Sequence, residues 1–323
     1  MKEKRCNVIL DVDTGSDDAV AIMLALKSPE LNVKAVCNVW GNLTVDKTTR
    51  NTLGVCQALG AKIPVYQGCQ RPMVKDRSSS RDLQNTYQPV IVDGKELKIH
   101  YDRLDGLPEV MGGPEPVHAV RFYYEYLKNA VEPVTIVAVG PLTNLGFLLR
   151  TAPELSKKIH QLIIMGGGVD ISNCSAAGEA NIWHDPEAFQ IILNTGIIPL
   201  LVPLDATHAA MLDEKDCEEL EKIDTFEARF TASLIRQRIV YESALLGPDR
   251  RRSAIHDALA VSACIDESVL KDIREVSCTV GLSGASDGEI MIDRRAVTDP
   301  VNLRVALSAD KKRFFQIICE RLA

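Results

Sequence analysis

Short apolar runs rich in valine and isoleucine recur along the chain at Val8 to Leu10, Val33 to Cys37, Val134 to Val139, Leu162 to Met165 and Ile197 to Val202. They are continuous rather than alternating, which predicts strands buried on both faces. Between them the spacing becomes helical, as in Asp18 to Leu26 and Asp185 to Leu193. In the second, Asp185-Pro186-Glu187 supplies an N-cap, a proline at the first helical position and an early acid. Alternation of this kind predicts an α/β fold, a mainly parallel central sheet flanked by helices in a Rossmann-like arrangement. In such sheets ligands bind at the carboxyl ends of the strands, where neighbouring connections diverge. Four of the five runs lead into polar or glycine-rich segments there: DVDTGSDD, NVWGN, GPLTN and MGGGVD.

Two stretches depart from the pattern. Residues 70–107 carry Ser78-Ser79-Ser80, several charges and a hairpin-like Val92-Asp93-Gly94-Lys95 turn, which predicts an inserted surface segment or lid. Residues 226–253, ending in GPDRRRS, are expected to be mobile. No linker or internal repeat divides the chain, so residues 1–323 are expected to form a single domain.

Composition narrows the partners. The net charge of -7 leaves no basic field for a polyanion, and Arg250, Arg251 and Arg252 form the one basic block, so no nucleic acid is expected. The longest apolar stretches are far too short for a membrane span, and no membrane association is expected. The nine cysteines are scattered from Cys6 to Cys319 without a CxxC spacing, which fits a reducing, cytoplasmic setting. The start MKEKRCNVILDVD has three apolar residues before its first aspartate, too few for the apolar region of a signal peptide.

The first polar segment is the chemical anomaly. Asp11, Asp13, Asp17 and Asp18 fill half of an eight-residue window, where 44 acidic residues in 323 predict about one. Asp11 and Asp13, two apart at a strand end, share a face, and Asp17 and Asp18 follow Gly15 at the start of a helix. Two carboxylates about 4 Å apart repel by roughly 4 kcal/mol at an effective dielectric of 20. A helix N-terminus returns only about 1 kcal/mol. A bound cation relieves the strain, and a donor set of oxygens without nearby histidine or cysteine favours calcium or magnesium over zinc. A helix cap and a solvated turn is the ordinary explanation of any one of these aspartates; four together after a buried strand ask for more.

At these residues the chain resembles the nucleoside hydrolases, the inosine-uridine-preferring nucleoside N-ribohydrolases. Their opening motif DxDxGxDD stands in full from Asp11 to Asp18, with threonine at its fourth position. Further matches follow in the family's order: VWGN ending at Asn42, AVGPLTN from Ala138, and MGGG from Met165. Asn173 with Glu179-Ala180-Asn181 and Asp185-Pro186 come next, then PLDATH from Pro203 and Ile255-His256-Asp257-Ala258. The resemblance implies the Rossmann-like fold of that family and hydrolysis of ribonucleosides to free base and ribose, a step of nucleoside salvage. It implies Ca²⁺ held by Asp13, Asp18, Asp257 and the Val139 carbonyl, with Asp13 also the general base. Asp17 and Asn42 match positions that hold the ribose 2′-hydroxyl, Asn181 and Asp257 those near the 3′-hydroxyl, and Asn173 and Glu179 those at the 5′-hydroxyl. Met165 matches a position lining the sugar, Asp11 a supporting position, and His256 the histidine that protonates the departing base. A homodimer or homotetramer is implied as well.

The residue types suit the chemistry. Breaking a ribosyl C–N bond builds oxocarbenium character on the sugar, so the protein must stabilise positive charge, activate a water and neutralise the leaving base. Asparagines beside the carboxylates give directional hydrogen bonds to hydroxyls without further charge. One departure concerns the base side. Many members carry a histidine in an HGxDGL-like segment, whereas this chain reads Asp102-Arg103-Leu104-Asp105-Gly106-Leu107. Either Asp102 has a different role there or His100 takes the histidine's place.

Other features read as structure. The glycines at 140 and 166 to 168 match neither GxxxxGK[ST] nor GxGxxG and are expected to let backbone approach the sugar. Trp40 and Trp183 are expected in the core, His208 in a structural role, and Arg250 to Arg252 in a solvated loop, or in one that closes the pocket. Two further functions fit parts of the sequence. DVDTG approximates the DxDxT nucleophile of a Mg²⁺-dependent haloacid-dehalogenase-like phosphatase, which leaves Asp17, Asp18 and His256-Asp257 unexplained. A non-catalytic ribonucleoside-binding protein keeps the ligand site but leaves Asp13 and His256 without work.

Overall fold

The strand Cys6–Val12 sends alternate side chains to opposite sides. Val8, Leu10 and Val12 enter one buried cluster with helix Ser16–Lys27, while Ile9 enters a second. Two cores, one on each face of a sheet, are what continuous apolar strands require. The computed structural model describes residues 5–74, 90–92, 94–295 and 299–323.

The central sheet has eight strands. From one edge they run Leu270–Val276, Leu303–Ala309, Leu200–Val202, Ile159–Met165, Val134–Ala138, Cys6–Val12, Leu31–Asn38 and Val65–Gln67. Every pairing is parallel except that of the edge strand Leu270–Val276 with Leu303–Ala309. All five predicted runs lie in this sheet, and helices Ser16–Lys27 and Pro186–Leu193 form where the spacing placed them, the latter capped by the Asp185 carboxylate on Ala188 N. No helix among the described residues is long and apolar enough to cross a membrane.

The strand order sets the place of a site. From Cys6–Val12 the chain moves outward through Leu31–Asn38 to Val65–Gln67, then returns to the other side of Cys6–Val12 with Val134–Ala138 and proceeds the opposite way. Connections therefore diverge between Cys6–Val12 and Val134–Ala138, opening a crevice at their carboxyl ends. Asp13 and Val139 lie just past those two strand ends.

The two irregular stretches resolve differently. Within residues 70–107, Val90–Val92 and Lys95–Leu97 pair as the expected hairpin, while the serine run 78–80 falls outside the described residues. The end of that stretch is no surface segment, because His100, Leu104 and Leu107 are buried. Residues 226–253, expected to be mobile, are mostly one helix of 21 residues, Phe226–Leu246. Thr225 caps it, no glycine or proline interrupts it before Gly247, and its buried side runs from Ala228 to Tyr241. Exposed Val240, Leu245 and Leu246 and buried Thr231 and Arg238 blur its period.

Leu10 tests the core. It is 1% exposed and touches the cluster on the helix Ser16–Lys27 side. Leu10→Ala should lower unfolding free energy by about 3 kcal/mol with an unchanged denaturant m value. A loss below about 1 kcal/mol in urea titration would show that this packing does not bear on stability.

Candidate active site

Asp11 and Asp13 enter the crevice from the same strand end with different neighbours. Asp11 is fully buried; its Oδ2 accepts from Tyr123 Oη at 2.9 Å and from Asn144 Nδ2 at 3.1 Å. Burial pushes its carboxyl up to about 7 against the lowering of those two bonds. Asp13 Oδ2 accepts from Asn42 N at 2.7 Å, whereas its buried Oδ1 has no hydrogen-bond partner among the described residues. Burial first, then the Asp18 charge, holds Asp13 well above the ordinary carboxylate range.

The backbone closes tightly on that group. A Cβ at Gly41 would stand 2.1 Å from Asp13 Oδ2, and one at Gly140 would stand 2.8 Å from Asp13 Oδ1. The glycines of VWGN and GPLTN are thus where they are because two loops pack against one carboxylate.

Helix Ser16–Lys27 begins beside it, and the Asp18 side chain folds back over the turn. Its Oδ1 accepts from Asp13 N at 3.0 Å; its Oδ2 accepts from Gly15 N at 2.8 Å and Asn42 Nδ2 at 3.2 Å. Burial, then the Asp17 charge, pushes Asp18 up to about 6. Asp257, in the first turn of helix His256–Ile265, arrives from the far end of the chain and is pushed well up by burial and by the charges of Asp17, Asp18 and Asp13. One carboxylate oxygen from each of Asp17, Asp18 and Asp257 lies within 4.8 Å of the others, and all three residues are buried.

A cation fits here. The donor set is all oxygen, the converging carboxylates are buried, and Asp13 Oδ1 lacks a partner among the described residues, which together describe a site that is electrostatically incomplete. The trio that converges most closely holds Asp18 and Asp257 as expected, with Asp17 in the place expected of Asp13.

The remaining expected residues sit around it unevenly. Asn181 Nδ2 donates to Val139 O at 2.8 Å and to Met165 O at 3.1 Å, tying two strand ends together. Glu179 Oε2 accepts from Gly167 N at 2.6 Å and Ile182 N at 3.3 Å, and burial pushes it up to about 7. Met165 is buried and Asn42 half-buried, but Asn173 is exposed, its Oδ1 accepting from Ala180 N at 3.0 Å.

His256 Nδ1 lies 2.8 Å from Thr207 Oγ1, and its ring centroid is 5.9 Å from that of His208. Burial, then the Arg238 charge, holds His256 down to about 3. His100 and Asp102, the two alternatives in that segment, lie in different surroundings. His100 is buried, its Nδ1 accepts from Ser16 N at 3.3 Å, and a Cβ at Gly15 would stand 1.9 Å from it. Asp102 instead pairs with Lys47 at 2.7 Å on the surface.

Sequence reasoning missed Arg238. It reaches from helix Phe226–Leu246 to donate through Nη1 to Asp17 Oδ1 at 3.0 Å and Ser16 Oγ at 2.9 Å. A charged residue inside a stretch expected to be mobile carried no signal of this. Asp17 stays below the ordinary range: burial pushes it up, and Arg238, His100 and His256 outweigh that. Trp40 and Trp183 are buried as expected, and Arg250, Arg251 and Arg252 are exposed.

Comparison with known proteins bears on this arrangement. The sequence pattern described as inosine-uridine preferring nucleoside hydrolase matches residues 8–316. A pyrimidine-specific ribonucleoside hydrolase of Photobacterium profundum is 35% identical over 325 residues, 98% of each chain. One of Citrobacter koseri is 33% identical, covering 98% of this chain and 97% of its own. Among solved structures, a plant nucleoside hydrolase superposes with a TM-score of 0.83 at 29% identity over 99% of both chains. A purine-preferring ribonucleoside hydrolase of Gardnerella vaginalis does so with 0.82 at 27% over 98% of both.

The raised carboxyls give the cation-free chain a pH signature. Asp11 at about 7, Asp18 at about 6 and Glu179 at about 7 bind protons in the folded state that the unfolded state releases near the ordinary values of 3.8 and 4.5. Stability from these groups is full below about pH 4 and lost as pH rises through about 7. His100 and His256, held down to about 4 and about 3, oppose this trend up to about pH 6.5, so in EGTA the Tm should fall between about pH 6.5 and 7.5, and excess divalent cation should recover it at the upper end. A Tm that climbs across that window in EGTA contradicts the buried-carboxylate account.

Proposed function

This chain belongs to the inosine-uridine preferring nucleoside hydrolase family, and from that premise we propose how it works. It hydrolyses the N-glycosidic bond of ribonucleosides to free base and ribose. Neither a phosphatase nor a non-catalytic binding protein finds support among its relatives. The observation that carries the mechanism is the convergence of Asp17, Asp18 and Asp257 beside the unpartnered oxygen of Asp13.

In this reading the cation is Ca²⁺, held by Asp13, Asp18, Asp257 and the Val139 carbonyl. When bound, it supplies positive charge against the ribose diol and lowers the pKa of a water. Asp13 would take a proton from the attacking water, and burial beside Asp18 raises its proton affinity, as a general base requires. Asp17 and Asn42 hold the 2′-hydroxyl, Asn181 and Asp257 the 3′-hydroxyl, and Asn173 and Glu179 the 5′-hydroxyl. Met165 lines the sugar, and Asp11, tied to Tyr123 and Asn144, supports the loop that carries Asp13. Carboxylates near the sugar stabilise the charge that develops as the bond to the base opens.

His256 serves as the leaving-group acid. Its ring is neutral in the free chain, and the Thr207 hydroxyl 2.8 Å from Nδ1 fixes its orientation. Negative charge building on the departing base favours the imidazolium, which forms by taking a proton from solvent, passes a proton to the base and returns to the neutral ring. We assign pyrimidine ribonucleosides as the preferred substrates, in keeping with the pyrimidine-specific relatives that match along the full chain. A cytoplasmic homodimer or homotetramer is the setting we propose, consistent with nine cysteines that are all free.

A panel of uridine, cytidine, inosine, adenosine and guanosine, read as released ribose, tests the substrate class. Uridine and cytidine should show kcat/KM at least about tenfold above the purines, and Asp13→Asn should release ribose from none. Faster purines would overturn the pyrimidine assignment. His256→Ala should slow uridine by about 10² or more while leaving an aryl riboside, whose leaving group needs no proton, nearly unchanged. Equal losses on both substrates remove His256 from the acid role.

A further inference from the structure

The Arg238 to Asp17 pair joins a residue assigned to the ribose to one that has no part in the chemistry above. Both side chains are buried, at 3% and 7% exposure, and their contact is 3.0 Å. Arg238 is also braced, with Nε donating to Ser253 Oγ at 3.3 Å and Ser253 in turn donating to Glu242. A buried ion pair is a poor source of stability, because desolvating both charges costs about what their attraction returns. Its position is more informative. Asp17 is one of the three carboxylates whose oxygens converge, and geometry alone makes it as good a cation ligand as Asp18 or Asp257.

We propose that Arg238 is the positioning residue that withholds Asp17 from the cation and so reserves it for the ribose. This rests on the cation and ribose assignments above and extends them to a residue that touches neither. Nη1 binds Asp17 Oδ1 and is fixed by Ser16 Oγ on the neighbouring residue of the same helix turn, so the carboxylate is held from one side. A guanidinium at 3.0 Å also cancels the charge that would draw Asp17 toward a divalent ion. Among the described residues, no lysine or arginine pairs in this way with Asp18 or Asp257. Four carboxylates of one type are thereby divided, and the divider stands 221 residues from Asp17 in sequence.

Calcium binding to the purified full chain, followed by calorimetry without nucleoside, tests this. Arg238→Met should tighten Ca²⁺ binding by about tenfold, because Asp17 becomes available to the ion, and should raise KM for uridine more than it lowers kcat. In an Asp17→Asn background the same change should alter Ca²⁺ affinity less than about twofold, and Arg238→Lys, which keeps the charge, should stay near wild type. Unchanged or weaker Ca²⁺ binding in Arg238→Met overturns the proposal. So does equal tightening with and without Asp17, which means that Arg238 acts on the ion directly. If Arg238→Met does not fold, Arg238→Met with Asp17→Asn removes both buried charges. Tightening of that double variant by about tenfold over Asp17→Asn likewise overturns the proposal, and equality within about twofold upholds it. A wild-type chain that binds no Ca²⁺ sinks the cation assignment itself, whereas the other failures leave that assignment intact.

Discussion

Mutual repulsion among buried carboxylates is the constraint from which the rest of the site follows. Asp13, Asp18 and Asp257 are each pushed upward by burial and by neighbouring carboxylate charge. A protein that folds with such a cluster must either leave protons on it or supply positive charge from outside. Backbone N–H groups offset part of the cost at Asp18, and Arg238 offsets it at Asp17. Asp13 is left with an oxygen that nothing in the described chain satisfies, and that residual cost is what couples folding, cation binding and reactivity.

The sheet explains why so unfavourable a cluster can be assembled at all. Asp11 lies in, and Asp13 just past, a strand whose neighbours lead in opposite directions, so the crevice past its end belongs to no single connection. Loops from several strands meet there, and two of them bring a glycine against Asp13 so closely that a Cβ would collide with it. Rigid backbone on two sides prevents the carboxylate from swinging out to solvent, where repulsion would be relieved and the chemistry lost. Asn181, bonded to the carbonyls of Val139 and Met165, performs the same service between the next two strands.

Much of this was legible in the sequence because it depends on local pattern. Buried parallel strands read as continuous valine and isoleucine, and the loops after them carry their polar residues, so the sheet and the acidic cluster past its strand ends could be read together. The edge strand Leu270–Val276 was not legible, since most of its positions face outward and its apolar content is low. Helix Phe226–Leu246 was not legible because exposed Val240, Leu245 and Leu246 and buried Thr231 and Arg238 blur its period. Arg238 and the contact made by His100 carried no signal at all. Each matters through a contact with helix Ser16–Lys27 made across the fold, His100 with Ser16 N and Arg238 with Asp17, and a single chain of letters does not encode which distant residue meets which.

That difference separates two sets of residues around the acidic cluster. Asp13 and Val139 stand just past strand ends, where a one-residue change of register would move them, while Asp17, Asp18 and Asp257 stand in the first turns of helices. His100, Arg238 and His256 arrive from the 70–107 stretch, a long helix and a helix start. Each of the three is held by its own contacts, to Ser16, to Ser253 and to Thr207. None of them is independent of the carboxylate cluster, because Arg238 binds Asp17 and His256 adjoins Asp257. Changing a contact in the long helix or in the 70–107 stretch therefore reaches the acidic residues as well as the groups around them.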